Sequence, residues 1–159
     1  MRLSLLLSVV SQGNAATNHS SIPSFGQYRV TKIYRGKAAA PVLRTPEDRG
    51  YRTRIRNGAK QGSNFAGHYT VIILGCGTEC SSFIIVDAMT GRVFSRAQKE
   101  YTGWPTFKLD SKLLVTDVCG PVDCNQAFWE WTGSELKFLT RAPTDCHRSS
   151  SGYLIPVGH

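Results

Sequence analysis

The residues of this chain with chemistry to offer are four histidines, five cysteines and a concentration of arginines. A metal site needs ligands that converge, and His19, His68, His147 and His159 are scattered along the sequence. His68 precedes an apolar run, a setting that suits a structural histidine or a base at the head of a strand. Cys146 and His147 are adjacent and would have to supply a thiolate and its base, but neighbouring side chains on an extended chain point apart. Asp87 and Asp123 sit in turn sequences, where local hydrogen bonding accounts for them. No G-x-S-x-G, no phosphate-cradling glycine loop and no pair of acids in an apolar setting occurs. The expectation is a chain without cofactor or metal, with an enzymatic role for His68 or for Cys146 and His147 as the alternative.

The arginines are unevenly placed. Between Arg29 and Lys60 there are ten basic residues and two acidic ones, whereas from Gln61 to His159 eight basic residues meet nine acidic. The net charge of +8 therefore belongs to one short region. Within it, Arg49, Arg52, Arg54, Arg56 and Lys60 are the candidate partner-binding residues, and the implied partner is an acidic protein or an anionic envelope polymer. A solvated helix face is the competing explanation. Nucleic acid is not favoured, because no aromatic motif of the RNA-binding type accompanies the charge.

The elements that carry these residues can be read in order. Met1-Arg2, the apolar stretch Leu3 to Val10, and Gly13 and Ala15 at the −3 and −1 positions predict a signal peptide over 1–15. No later segment approaches the roughly 18 apolar residues that span a membrane. A periplasmic or secreted location follows. Asn18-His19-Ser20 is an N-glycosylation sequon, meaningful only in a eukaryotic secretory pathway. Residues 16–26 read as a flexible polar segment and 27–159 as a single β-rich domain, long enough for a real core. Tyr28 to Tyr34 alternates imperfectly and predicts an edge strand. Thr45-Pro46-Glu47-Asp48 is a helix start with an N-cap, a proline in the first turn and an approximate capping box. Asn57-Gly58 is the matching stop, so one helix is expected over about 46–57, with Tyr51 and Ile55 facing the core. A strand from Tyr51 is the alternative and would put Arg52, Arg54 and Arg56 on one side.

The run Thr70 to Leu74 is continuously apolar after Thr70, which predicts a central strand covered on both faces. Phe83 to Val86 is a second such run, and Asp87 to Gly91 is hairpin chemistry leading to Arg92-Val93-Phe94. The pattern recurs. Leu113 to Val118, Ala127 to Trp131, the turn Thr132-Gly133 and Leu136 to Leu139 repeat it at an offset of about 43 residues, the length and form of a propeller blade. Two copies cannot close a ring. The predicted fold is mainly β within the α+β class: two antiparallel meanders in one sheet or a two-sheet sandwich, with one helix. Ile72, Ile73, Phe83, Ile85, Leu114, Phe128 and Trp131 are the expected core. Gly103 to Phe107 is expected as a loop with a buried aromatic, Ser149 to Gly152 as a flexible stretch and Tyr153 to Val157 as a last edge strand.

The stretch Asn64 to Tyr69 (NFAGHY), the Gly75 to Cys80 turn and Val86 to Gly91, with the basic Tyr51 to Ala59 before them, resemble a family of small exported proteobacterial proteins. The resemblance covers roughly residues 40–140 and implies export, with no activity to carry over. A weaker similarity, in architecture alone, is to periplasmic lysozyme inhibitors and to immunity proteins against peptidoglycan-cleaving toxins. It implies a binding protein rather than an enzyme.

Five cysteines fit an oxidising compartment. Cys76 with Cys80, and Cys119 with Cys124, flank two turns at spacings wrong for a redox C-x-x-C pair. Two local disulfides are expected, each closing a loop of about five residues and contributing about 2 kcal/mol. A zinc site built from both pairs is the alternative. Intact-mass measurement before and after reduction and alkylation should find two disulfides and one free thiol, Cys146. Cross-links between the two turns, or bound zinc with every thiol reduced, would overturn the local pairing.

Overall fold

The computed structural model describes residues 22–77, 80–95, 97, 104–119, 123–148 and 154–157. The signal peptide expected over 1–15, the polar residues 16–21 and Ser149 to Gly152 lie outside the described residues. Among those described, no helix is long and apolar enough to cross a membrane.

The helical segment forms where the capping residues place it, but in two pieces: α1 (Pro46–Gly50) and α2 (Arg52–Ala59). The capping box is complete. The Asp48 amide donates to Thr45 Oγ1 at 3.0 Å, and Asp48 Oδ2 accepts from the Thr45 and Arg44 amides, each at 2.8 Å. The break falls at Tyr51, whose φ of −99° and ψ of 14° leave helical geometry directly after Gly50, a poor helix former. Ile55 points into the core as expected, whereas Tyr51 at the break is 43% exposed. The helix also runs through Gly58 instead of stopping there. A Cβ on Gly58 would lie 2.7–2.8 Å from three carbons of Ile72. That glycine permits close approach of helix to sheet; it is not a C-terminal cap.

The first meander is β1 (Tyr69–Gly77), β2 (Cys80–Asp87) and β3 (Val93–Phe94), antiparallel in that order. Its β-branched and aromatic residues suit a pleated surface buried on both sides. Tyr69, Val71, Phe83 and Ile85 face one way; Ile72, Leu74, Ile84 and Val86 face the other, against Ile55 and Ala59 of α2. β1 is thus buried on both faces, yet it lies at the edge of its sheet and β2 is the central strand. Continuous hydrophobicity here reports layers above and below, which an edge strand can also have. Asp87 builds the β2–β3 turn, its carboxylate accepting from the Met89 amide at 2.8 Å and the Thr90 hydroxyl at 2.7 Å, with Gly91 at φ 76°.

The second meander is β5 (Leu113–Cys119), β6 (Cys124–Trp131) and β7 (Leu136–Thr144), with β4 (Pro105–Phe107) added at the β5 edge. The repeat is therefore structural as well as sequential, down to Gly133 at φ 100° in the β6–β7 turn. β8 (Cys146–Arg148) pairs with β9 (Leu154–Pro156), the expected last strand. Leu114, Ala127, Trp129, Trp131 and Leu136 of this sheet pack on the first meander, and Leu113, Val115 and Phe128 pack on Phe25 and Tyr28. The architecture is two open antiparallel sheets face to face, with helices over one and the N-terminal segment over the other.

Four further expectations need correction. Tyr28 to Tyr34 forms no strand; it makes only an Arg29–Ser111 bridge, and its amides go to loop carbonyls, Val30 to Asp110 and Tyr34 to Gly67. Pro105–Phe107 is an edge strand, with proline at its first position where a ladder donor is not required. Trp104 before it is 52% exposed. Ile73 is half-buried, on the strand that lies at the edge of its sheet.

Two outcomes test this account. Gly58→Ala should destabilise the protein although alanine favours helix by about 1 kcal/mol, because overpacking against Ile72 costs about 1–3 kcal/mol. Ile72→Val should partly relieve that loss; a gain in denaturation midpoint for Gly58→Ala would refute the close approach. The second concerns Asp48, which is 2% exposed. Burial alone would raise its pKa, but hydrogen bonds from the Thr45 and Arg44 amides and the Ser95 and Thr45 hydroxyls together hold the carboxyl below its usual range. Its folded pKa then lies below the unfolded value of about 3.9. The stabilisation is complete above that value and is lost as pH falls through the folded pKa. The difference in melting temperature between wild type and Asp48→Asn should shrink as pH falls from 5 towards 2, in scans at about half-unit steps; a constant difference would refute the assignment.

Candidate functional site

Arg49, Arg52, Arg54, Arg56 and Lys60 are all exposed. α2 buries Ile55 and Ala59 on β1, so Arg54 and Arg56, one position to either side of Ile55, stand on opposite flanks of the helix, and Arg52 shares the flank of Arg56 at i, i+4. No ion pair holds any of the five among the described residues; the Arg52 guanidinium donates to the Arg49 carbonyl at 3.3 Å, across the junction of α1 and α2. Of the two acids nearby, Asp48 is turned inward and spent on the cap, while Glu47 is exposed. The result is an exposed, cationic segment anchored by two buried side chains.

A second feature is concave. A cleft of about 480 Å³ opens at the ends of the two sheets. Arg29 to Lys32 form one wall, Ala66, His68 and Tyr69 a second, and Lys112 with the Trp131 to Gly133 corner a third. These segments are fixed to one another by backbone hydrogen bonds. Lys112 donates to the Tyr28 carbonyl at 2.8 Å, Trp131 to that of Lys112 at 2.9 Å, and Gly67 to that of Leu109 at 2.7 Å. A Cβ on Gly67, at φ 87°, would come within 2.5 Å of the Lys32 carbonyl oxygen, so glycine is required where the walls meet. Ala66 beside it holds φ 44°, a strained value for a residue with a side chain.

The cleft's chemistry is cationic and aromatic. No carboxylate lines it among the described residues. The Tyr69 hydroxyl donates to the Gly133 carbonyl at 3.4 Å, and burial pushes its pKa up, so the phenol stays neutral and serves only as a hydrogen-bonding group. His68 is half-buried with its ring 4.1 Å from that of Tyr69. It makes no side-chain hydrogen bond to any described residue that would orient it as a base. Cys146 and His147 fall on β8 as neighbours, half-buried and exposed, on opposite sides of the strand. Among the described residues there is no group of three metal-ligating side chains.

The cysteine turns can be placed by backbone. Cys119 stands opposite Cys124 in the β5–β6 pair, and Cys80 opposite Gly77, with Cys76 the extra residue of a bulge. Directly opposed antiparallel residues have Cα atoms about 4.5–5.5 Å apart, within disulfide reach. The side chains of Cys76, Cys80 and Cys119 lie outside the described residues.

The arginine face was legible as a charge run. Of the cleft, only His68 stood out in the sequence; Arg29, Lys32, Lys112 and Trp131 come from segments far apart along the chain. The available signal was Ala66-Gly67, a small pair just before a strand, which marks close backbone approach. Comparison of the chain with protein-family models, with curated proteins and with solved structures found no match.

Proposed function

We propose that the chain is an exported, periplasmic or secreted, non-enzymatic binding protein whose arginine-bearing segment engages an acidic partner. The form we favour is an inhibitor or immunity protein for a cell-wall hydrolase. Such hydrolases present paired carboxylates in a cleft, and guanidinium groups match carboxylates with two parallel hydrogen bonds. One observation carries the reading: Arg49, Arg52, Arg54, Arg56 and Lys60 are exposed together, with no ion pair to a described residue. The second reading, a small envelope hydrolase using His68, is favoured only by the position of His68 in a cleft.

Exposed charges contribute little to stability, typically about 0–1 kcal/mol per pair. On a recognition surface they govern association and fade with salt, over a screening length of about 10 Å at 0.1 M. Arg52→Glu/Arg56→Glu should therefore melt like wild type yet lose one partner when envelope proteins and peptidoglycan are captured at low and at moderate salt. Unchanged capture of every partner would return these arginines to the role of a solvated face. A His68→Ala variant that abolished a hydrolytic activity would favour the second reading instead.

A further inference from the structure

We propose that the cleft between the sheet ends is a binding site of its own, separate from the arginine segment, for a small amphipathic carboxylate: an anionic group on an apolar body. Four observations meet there. First, the walls are apolar at depth and cationic above: Val30, Ala66, Tyr69 and Trp131 line it together with Arg29, Lys32 and Lys112. Arg29 is partly neutralised by Asp110 at 3.6 Å, whereas the Lys32 and Lys112 ammonium groups have no ion-pair partner among the described residues. Second, Trp131 is 1% exposed at the base of the cleft, and its indole lies against the Tyr69 side chain, the polar group nearest its Nε1–H. Third, Ala66 is held in a left-handed conformation at the same wall, and such strain persists where surrounding structure imposes it, often at a ligand site. Fourth, the volume is that of a small-molecule pocket, and the backbone hydrogen bonds between its walls make it largely pre-formed.

The polarity of the lining selects among anions. A bare inorganic anion would be served by the cations alone and would leave the aromatic floor unused. A ligand with an apolar body covers that floor while its carboxylate reaches the lysines, which hold it as compact point charges. Among the described residues no acid lines the cleft, and Asp110, paired with Arg29, stands outside the lining.

The test uses the full folded chain and three probes: phenylacetate, its neutral analogue phenylacetamide, and inorganic phosphate. Binding is followed by nuclear magnetic resonance at the Trp131 indole N–H and the Ala66, Gly67 and His68 amides. Phenylacetate should give saturable shifts at these positions, with phenylacetamide and phosphate at least tenfold weaker. Lys32→Gln/Lys112→Gln, two exposed positions, should weaken phenylacetate at least tenfold without changing the melting temperature. Arg52→Glu/Arg56→Glu should leave it unchanged, which separates this site from the proposed partner surface. Absence of saturable shifts at these positions, equal response to the amide or to phosphate, or indifference to the double glutamine variant would each overturn the proposal.

Discussion

The packing of Trp131 between the two sheets is the interaction on which the remaining structure depends. Trp131 ends β6, and its ring meets Tyr69 edge-on at 5.2 Å and Phe94 edge-on at 5.2 Å, with Phe65 at 6.4 Å. Those three residues belong to the start of the first meander, to its last strand and to the loop that enters it. One indole thus touches both ends of the opposing sheet's course. Aromatic rings bury more area than any other side chains, and edge-to-face pairs add a directional preference that aliphatic contacts lack. The contact holds the sheets in one relative position. It also sets the floor of the cleft, because the same indole and the Tyr69 ring lie beneath the cations.

The duplicated meander explains why a cleft forms where it does. In each copy a loop enters the first strand and a glycine turn follows the second, so both copies bring their loops to comparable positions. The copies differ in what covers their outer faces. Helix α2 covers the first, through Ile55 and Ala59; the segment containing Phe25 and Tyr28 covers the second. Each cover has a further part. The helix presents its arginines outward, and the N-terminal segment continues past Tyr28 into Arg29 to Lys32, a wall of the cleft. The two candidate surfaces are therefore the outer sides of the elements that seal the two hydrophobic faces.

Glycine shows how one residue type serves different ends. Gly91 and Gly133 supply the positive φ that tight turns need. Gly67 does the same and also admits the Lys32 carbonyl. Gly58 has ordinary helical geometry and is there for closeness alone, letting α2 settle onto Ile72. Sequence position cannot separate a helix-ending glycine from a helix-packing one, because both follow Asn-like or small residues near the end of a helical pattern.

Local patterns in the sequence determined most of the elements. The capping box at Thr45, the runs at Thr70 to Leu74 and Phe83 to Val86, the Asp87 to Gly91 turn and the 43-residue repeat all rest on interactions between near neighbours, and all appear in the fold. So does the exposure of the arginines, since Arg52, Arg54 and Arg56 around Ile55 leave α2 only one face to bury. Tertiary structure decided the rest. It placed β1 at a sheet edge, since a continuous apolar run records cover above and below and not strand order. It left Ile73 half-exposed on that edge strand, and it drew Tyr28 to Tyr34 away from strand pairing by offering loop carbonyls. It alone assembled the cleft, whose cations, aromatic rings and strained Ala66 are contributed by four segments separated by tens of residues. Long-range convergence of that kind leaves no periodicity and no motif in a single sequence, because each contributing segment is locally unremarkable.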